Sequence, residues 1–155
     1  MTYSLKAFLE NYGMYGGAFL VAFIAGMFPL FSIEAFLVMV SAVVHPTFEA
    51  LALCCLIAAV GHQIAKTITY YAGVGGLEHG KLKDKVEKLR PRIDRWNRAP
   101  HLILVLGGAI GIPPLWILGF IAKPLMRINI VRFTAIVFVT RYGRFMTLAA
   151  IPLLF

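Results

Sequence analysis

Charged residues are scarce in this sequence. Only 14% of its 155 residues are Asp, Glu, Lys or Arg, and only seven are acidic. A soluble globular domain carries about 25% charged and about 45–50% apolar residues. Here 60% of the residues are hydrophobic and the mean hydropathy is +0.82. The composition argues against an ordinary soluble domain and predicts an all-α, multi-pass integral membrane protein.

Signature motifs of catalysis and metal binding are also absent. The sequence contains no HExxH, GxSxG, P-loop or paired-carboxylate pattern. The two cysteines, Cys54 and Cys55, are adjacent within an apolar run and have neither metal-ligand spacing nor a disulfide partner. We therefore predict no enzymatic activity, no metal site and no cofactor.

Positive charge is concentrated in one segment. Residues 81–98 contain eight basic and three acidic residues, although the whole chain carries a net charge of only +8. Basic loops beside membrane spans stay in the cytoplasm, and nothing else in the sequence supports nucleic-acid binding. We predict that 79–99 is a basic cytoplasmic amphipathic helix, broken at Pro91. Its apolar residues recur at helical spacing: Leu82, Val86, Leu89 and Ile93.

Proline interrupts two apolar stretches. Pro29 divides 13–46, and Pro113 with Pro114 divides 101–125. An arm of about 15 residues reaches about 22 Å, which is short of a hydrocarbon core about 30 Å thick. We therefore predict two re-entrant hairpins, each entering and leaving the membrane on one side and buried in protein or lining a wet cavity.

The remaining segments set the orientation of the hairpins. Residues 48–76 and 130–155 are long enough to cross a bilayer, Asn129 is the expected N-cap of the second span, and 1–12 reads as an interfacial helix. One span separates the first hairpin from the cytoplasmic segment. The first hairpin therefore opens to the outside and the second to the cytoplasm. Such an inverted repeat places a transporter's substrate site near the midplane.

Among the charged residues of these stretches, Glu34, Arg141 and Arg144 stand out, because a charge at bilayer depth is costly. Glu34 can take up a proton or balance an arginine, unless the first hairpin is shallow and Glu34 lies at the interface. Arg141 and Arg144 are three residues apart and share a helix face. Their planar guanidinium groups suit a headgroup phosphate, and structural pairing with Glu34 is the alternative.

One face of the first span carries His62, Lys66 and Tyr70, which are spaced by four. Because His62 can titrate near neutral pH, we group it with Glu34 for proton or charge coupling. We expect Lys66 to extend its ammonium group to the cytoplasmic edge.

Three stretches of the sequence resemble a known family. "FPLFSIEAF" precedes "GHQIAKTITYYAGVGG", and the basic segment leads to "GAIGIPPLWILGFIAKPLMRINIVRFTAIVFVTRYGR". Over roughly 26–146 the chain resembles the DedA, or VTT-domain (SNARE-associated Golgi protein), membrane proteins. The resemblance implies opposed re-entrant hairpins around a central cavity, and movement of phospholipids or polyprenyl-phosphate carriers with proton coupling. It also implies that Glu34 is the hairpin acid and that Arg127 and Arg144 are the family arginines.

These observations predict a flippase- or scramblase-like lipid transporter in a bacterial cytoplasmic membrane. Arg127, Arg141 and Arg144 would contact an anionic headgroup or lipid phosphate, although Arg127 also fits a simple positive-inside role. This sequence has one helix after the second hairpin, where larger family members continue, so we expect a second copy of the chain to supply the missing helix in a homo-oligomer. Two alternatives stay open: an ion or proton exchanger, and a structural subunit whose charges hold helices together.

Overall fold

The computed structural model describes residues 2–76 and 81–154, and for 2–12, 81–83, 85 and 86 it describes the backbone alone. Met1, Phe155 and residues 79 and 80 of the predicted basic segment lie outside this part. The described residues form seven helices and no strand, which confirms the all-α prediction for them. The helices are α1 (Thr2–Met27), α2 (Ile33–Val44), α3 (Phe48–Gly76), α4 (Lys81–Trp96), α5 (Pro100–Ala109), α6 (Leu115–Ile121) and α7 (Ile130–Leu154).

Two of the described helices, α3 and α7, are long and apolar enough to cross a membrane. They coincide with the two stretches for which the sequence predicts full spans. By length and composition alone, two such helices are weak evidence of membrane association, because the core helices of soluble proteins pass the same test. Three further apolar helices are shorter: Gly13–Met27, Ile33–Val44 and Pro100–Ala109.

The chain divides into two compact units. Unit 1 comprises Met1–Ala65 and Arg141–Phe155, and unit 2 comprises Lys66–Thr140. The chain passes from one unit to the other within α3 and again within α7.

The first proline-broken stretch forms two helices of unit 1. α1 consists of two helical segments joined at Gly13, whose φ of 69° and ψ of 155° are accessible to glycine without steric cost. α2 begins after Ser32, whose hydroxyl accepts a hydrogen bond from the Ala35 N–H at 3.2 Å. It ends at His45, which is left-handed with a φ of 48°. α1 and α2 are in contact.

Small residues let α1 and α3 approach each other closely within unit 1. A Cβ added to Gly61 would lie 2.6 Å from the carbonyl oxygen of Phe19, and one added to Gly26 would lie 2.6 Å from the Cβ of Ala65. Close packing of this kind is typical of small residues spaced by four on apolar helices. Further small buried residues of these helices in unit 1 include Gly17, Ala18, Ala22, Ala25, Cys54, Cys55, Ala58 and Ala59.

α4 is an amphipathic helix of unit 2. Leu89, Ile93 and Trp96 belong to the apolar cluster of that unit or pack against it, whereas the charged side chains described on α4 are exposed. The predicted break at Pro91 is wrong, because α4 is continuous from Lys81 to Trp96. Proline's φ is compatible with a helix, although it removes one backbone hydrogen bond. Apolar packing on both sides of Pro91 offsets that loss.

The second proline-broken stretch also forms two short helices in contact, α5 and α6. In the turn between them, Gly111 has a φ of 90° and its N–H donates to the carbonyl of Leu106 at 3.2 Å. α7 then begins after Asn129, whose Oδ1 accepts a hydrogen bond from the Val131 N–H at 3.0 Å. This bond confirms the predicted N-cap.

The turns of both short-helix pairs are apolar and exposed. Turn residues are usually polar because they face water. Here Leu30 is 92% exposed in the first turn and Ile112 is 74% exposed in the second. Phe28, Phe31 and Ile110 are exposed beside them.

Candidate functional site

The embedded charges that the sequence singles out meet in unit 1. Glu34 lies in the first turn of α2, while Arg141 and Arg144 lie one helical turn apart on α7. Glu34 Oε1 accepts hydrogen bonds from Arg141 Nη1 at 2.8 Å and from Arg144 Nε at 3.1 Å. One carboxylate oxygen therefore holds two guanidinium groups, and we call this set the Glu34 cluster.

Ser32 completes the surroundings of the carboxylate. Its hydroxyl donates to Glu34 Oε2 at 3.2 Å while it also accepts the Ala35 N–H that caps α2. Sequence reasoning missed this residue. A serine directly before an apolar helix is an N-cap signal, and here it lies two positions before the acid.

The Glu34 cluster is partly buried and carries excess positive charge. The side chains of Arg141, Glu34 and Arg144 are 12%, 20% and 28% exposed. Two cations and one anion leave a net charge of +1 where water has little access. The buried Nε of Arg141 has no hydrogen-bond acceptor among the described residues. Because a buried donor without an acceptor is costly, this arrangement favours a further anion.

His62 lies in the interior of unit 1. It is 4% exposed, and its ring meets the ring of Phe145 edge-on with 5.9 Å between centroids. On another side, a Cβ added to Gly26 would lie 3.4 Å from His62 Cδ2. His62 is therefore packed between α1 and α7, in the same unit as the Glu34 cluster.

Arg127, which the sequence groups with Arg141 and Arg144, belongs to unit 2. It lies in the loop between α6 and α7 with a positive φ of 54°. Its side chain is exposed and lines a cavity of about 460 Å³. The structure therefore brings Arg141 and Arg144 together at Glu34 and describes Arg127 within another unit.

Lys66 differs from the role expected of it, and Tyr70 makes a contact that the sequence does not predict. Lys66 is only 4% exposed, so the prediction that its ammonium group extends to an edge is wrong. Tyr70 is buried, and its hydroxyl donates to the carbonyl of Ile128 at 2.7 Å. Its ring packs on Phe133 with 5.0 Å between centroids. A tyrosine that holds a distant backbone carbonyl has no sequence signature, which is why this contact could not be predicted.

No group of three or more His, Cys, Asp or Glu side chains in the described part of the chain is arranged to hold a metal ion. Unit 1 does contain groups that act electrostatically: two guanidinium groups that can bind an anion, and a carboxylate that can compete for them.

Comparisons with protein-family models, with curated proteins and with solved structures give no match. The described part of the chain is all-helical, with two helices long and apolar enough to cross a membrane and a partly buried Glu–Arg–Arg cluster. The resemblance to the DedA family stays a prediction that rests on the quoted stretches.

Proposed function

We propose that this protein is a small DedA-like membrane lipid transporter of the flippase or scramblase type. It moves a phospholipid or a polyprenyl-phosphate carrier across a bacterial cytoplasmic membrane and works as a homo-oligomer. The Glu34 cluster binds the headgroup phosphate. The observation that carries this proposal is the net positive, partly buried group of two arginines on one carboxylate, built on apolar helices.

The lengths and turns of the short helices support the proposed re-entrant hairpins. A helix of 12 residues, such as α2, reaches about 18 Å and cannot cross a core about 30 Å thick. Large apolar side chains exposed in both turns would be costly in water, because each buried methylene contributes about 0.8 kcal/mol. Both turns therefore fit an apolar surrounding, and the hairpins enter from opposite leaflets as an inverted repeat.

The proposed mechanism is an exchange of anions on the arginines. In the resting state Glu34 holds Arg141 and Arg144. A phosphate headgroup replaces the carboxylate on these donors, because phosphate accepts several charge-assisted hydrogen bonds at once. When Glu34 returns, the lipid is released. A proton on Glu34 would weaken its hold on both arginines and so couple lipid movement to protons.

Lipid translocation in proteoliposomes tests these roles. Fluorescent phosphatidylglycerol in the inner leaflet is followed by quenching with an external reductant. We expect Arg144→Ala and Glu34→Gln each to slow translocation about tenfold, since each removes a charge-assisted contact worth about 1.5–3 kcal/mol. Arg132→Ala, at an exposed position near the start of α7, is the matched control. Unchanged rates in both cluster variants would show that the assigned roles are wrong.

The ion pairs themselves favour a second candidate, a structural subunit in which the cluster only joins α2 to α7. Removing one partner of a buried pair destabilises a protein by about 3–5 kcal/mol, and removing both restores much of the loss. In a structural subunit, the triple variant Glu34→Gln/Arg141→Gln/Arg144→Gln, which leaves no charge of the cluster unpaired, therefore recovers stability and every other property. In a transporter the triple variant recovers thermal stability but not lipid movement. Flux of protons without lipid movement, read by a trapped pH dye, would instead identify an exchanger.

A further inference from the structure

Unit 2 contains a cavity that the Glu34 cluster does not use. It has a volume of about 460 Å³ and lies at the loop between α6 and α7. Its size falls within the range of about 300–1,000 Å³ that is usual for small-molecule sites. The lining residues are Tyr70, Tyr71, Lys123, Arg127, Ile128, Asn129 and Ile130.

The charge of this cavity is of one sign. Lys123 and Arg127 contribute two cationic side chains, and none of the seven lining residues is acidic. The first residues of α7, a helix of 25 residues, form part of the wall. The Val131 N–H is taken by the Asn129 cap, but the helix N-terminus still adds a partial positive charge that favours an anion. Three independent sources of positive potential therefore converge on one concave surface.

The loop that carries Arg127 is held in place on its C-terminal side. Tyr70 donates to the carbonyl of Ile128 at 2.7 Å, and the Ile128 N–H donates to the carbonyl of Ala122 at 2.8 Å. Arg127 itself has a φ of 54°, a conformation that is uncommon for a residue with a side chain and costs energy. Backbone of this kind persists where the surroundings fix it, and binding sites are such places.

We propose that this cavity is an anion site for a phosphate group, either on a lipid headgroup or as free phosphate. Arg127 offers the planar donor pair that matches phosphate oxygens, Lys123 offers a point charge, and the start of α7 adds oriented dipoles. The site rests on unit 2 alone, so it does not depend on the lipid transport proposed for the Glu34 cluster.

Calorimetric titration of the full-length protein in nonionic detergent tests the site. Sodium phosphate is the ligand in one arm and dihexanoyl phosphatidic acid in the other, at constant ionic strength. Arg127→Asn removes the charge with a residue that tolerates a positive φ, and Lys123→Gln is a second variant at an exposed position. Arg132→Gln, also exposed but not part of the lining, is the control for net charge.

We expect Arg127→Asn and Lys123→Gln each to weaken binding about 10-fold, as the loss of one hydrogen bond to a charged group implies. Arg132→Gln should change binding less than about twofold. Binding in both arms identifies free phosphate as sufficient, whereas binding of phosphatidic acid alone identifies a lipid headgroup. The proposal is overturned if neither anion binds, or if Arg132→Gln weakens binding as much as Arg127→Asn. A loss confined to Arg144→Gln would also overturn it, because the anion would then occupy unit 1.

Discussion

At the scale of single residues, the opposite charges of the Glu34 cluster stabilise one another. Glu34 would be expensive on an apolar helix without a partner, and it meets two guanidinium groups at 2.8 and 3.1 Å. A single arginine would have neutralised it. The second arginine adds a positive charge beyond the one that neutralises Glu34, and the proposed phosphate site rests on that charge.

Tyr70→Phe is the residue-scale prediction for unit 2. The change removes a hydroxyl that donates to the Ile128 carbonyl and leaves that buried acceptor without its partner. We expect a loss of about 1–2 kcal/mol in the free energy of unfolding, measured by thermal or denaturant unfolding in detergent.

Tyr71→Phe is the matched control for this experiment. Tyr71 is the next residue on the same helix and is 53% exposed, so the same change should shift the free energy of unfolding by less than about 0.5 kcal/mol. Equal effects of the two substitutions would mean that the Tyr70 hydroxyl does not hold the loop.

At the scale of helices, much of the structure could be predicted from the sequence, because the signals that begin and end a helix are local. Apolar stretches and proline positions indicate where α2, α3 and α7 lie, and an asparagine before a helix indicates its N-cap. The sequence offered the pairing of Glu34 with an arginine 107 positions later as one of two alternatives, because few charged residues lie within the apolar stretches. The burial of Lys66 and the hydrogen bond from Tyr70 to Ile128 could not be predicted, since both depend on which distant parts of the chain pack nearby.

Close approach of backbones gives the helix-scale prediction. A Cβ added to Gly73 of α3 would meet the backbone of Phe120, with Cα and carbonyl carbon each at 2.7 Å. Backbone atoms cannot rotate away as a side chain can. We expect Gly73→Ala to lower the free energy of unfolding by about 1–3 kcal/mol, measured by thermal unfolding with the wild type alongside.

Gly75→Ala provides the comparison, because a Cβ at Gly75 would have nothing within 4 Å. There alanine should be neutral or stabilise α3 by up to about 1 kcal/mol through its better helix propensity. If Gly73→Ala were as stable as Gly75→Ala, α3 and α6 would not approach as closely as described.

At the scale of the whole molecule, the connections between helices are of two kinds, apolar turns and a basic loop. The turns of the two short-helix pairs expose Leu30 and Ile112, whereas the loop before α7 carries Lys123 and Arg127. Apolar turns suit the interior of a bilayer and basic loops suit its cytoplasmic surface. The apolar or basic character of each connection can be read from the sequence, and it predicts which connections are accessible to water.

Cysteine labelling in oriented vesicles tests that prediction. In a Cys54→Ala/Cys55→Ala background, a membrane-impermeant maleimide should reach Arg90→Cys of α4 only from the cytoplasmic side and Glu49→Cys at the start of α3 only from the outside; both positions are exposed. Leu30→Cys separates the two topologies. If α1 and α2 form a re-entrant hairpin, Leu30→Cys resists the reagent from the cytoplasmic side. If the two helices cross the membrane instead, Leu30→Cys reacts there as readily as Arg90→Cys, and the re-entrant topology is wrong.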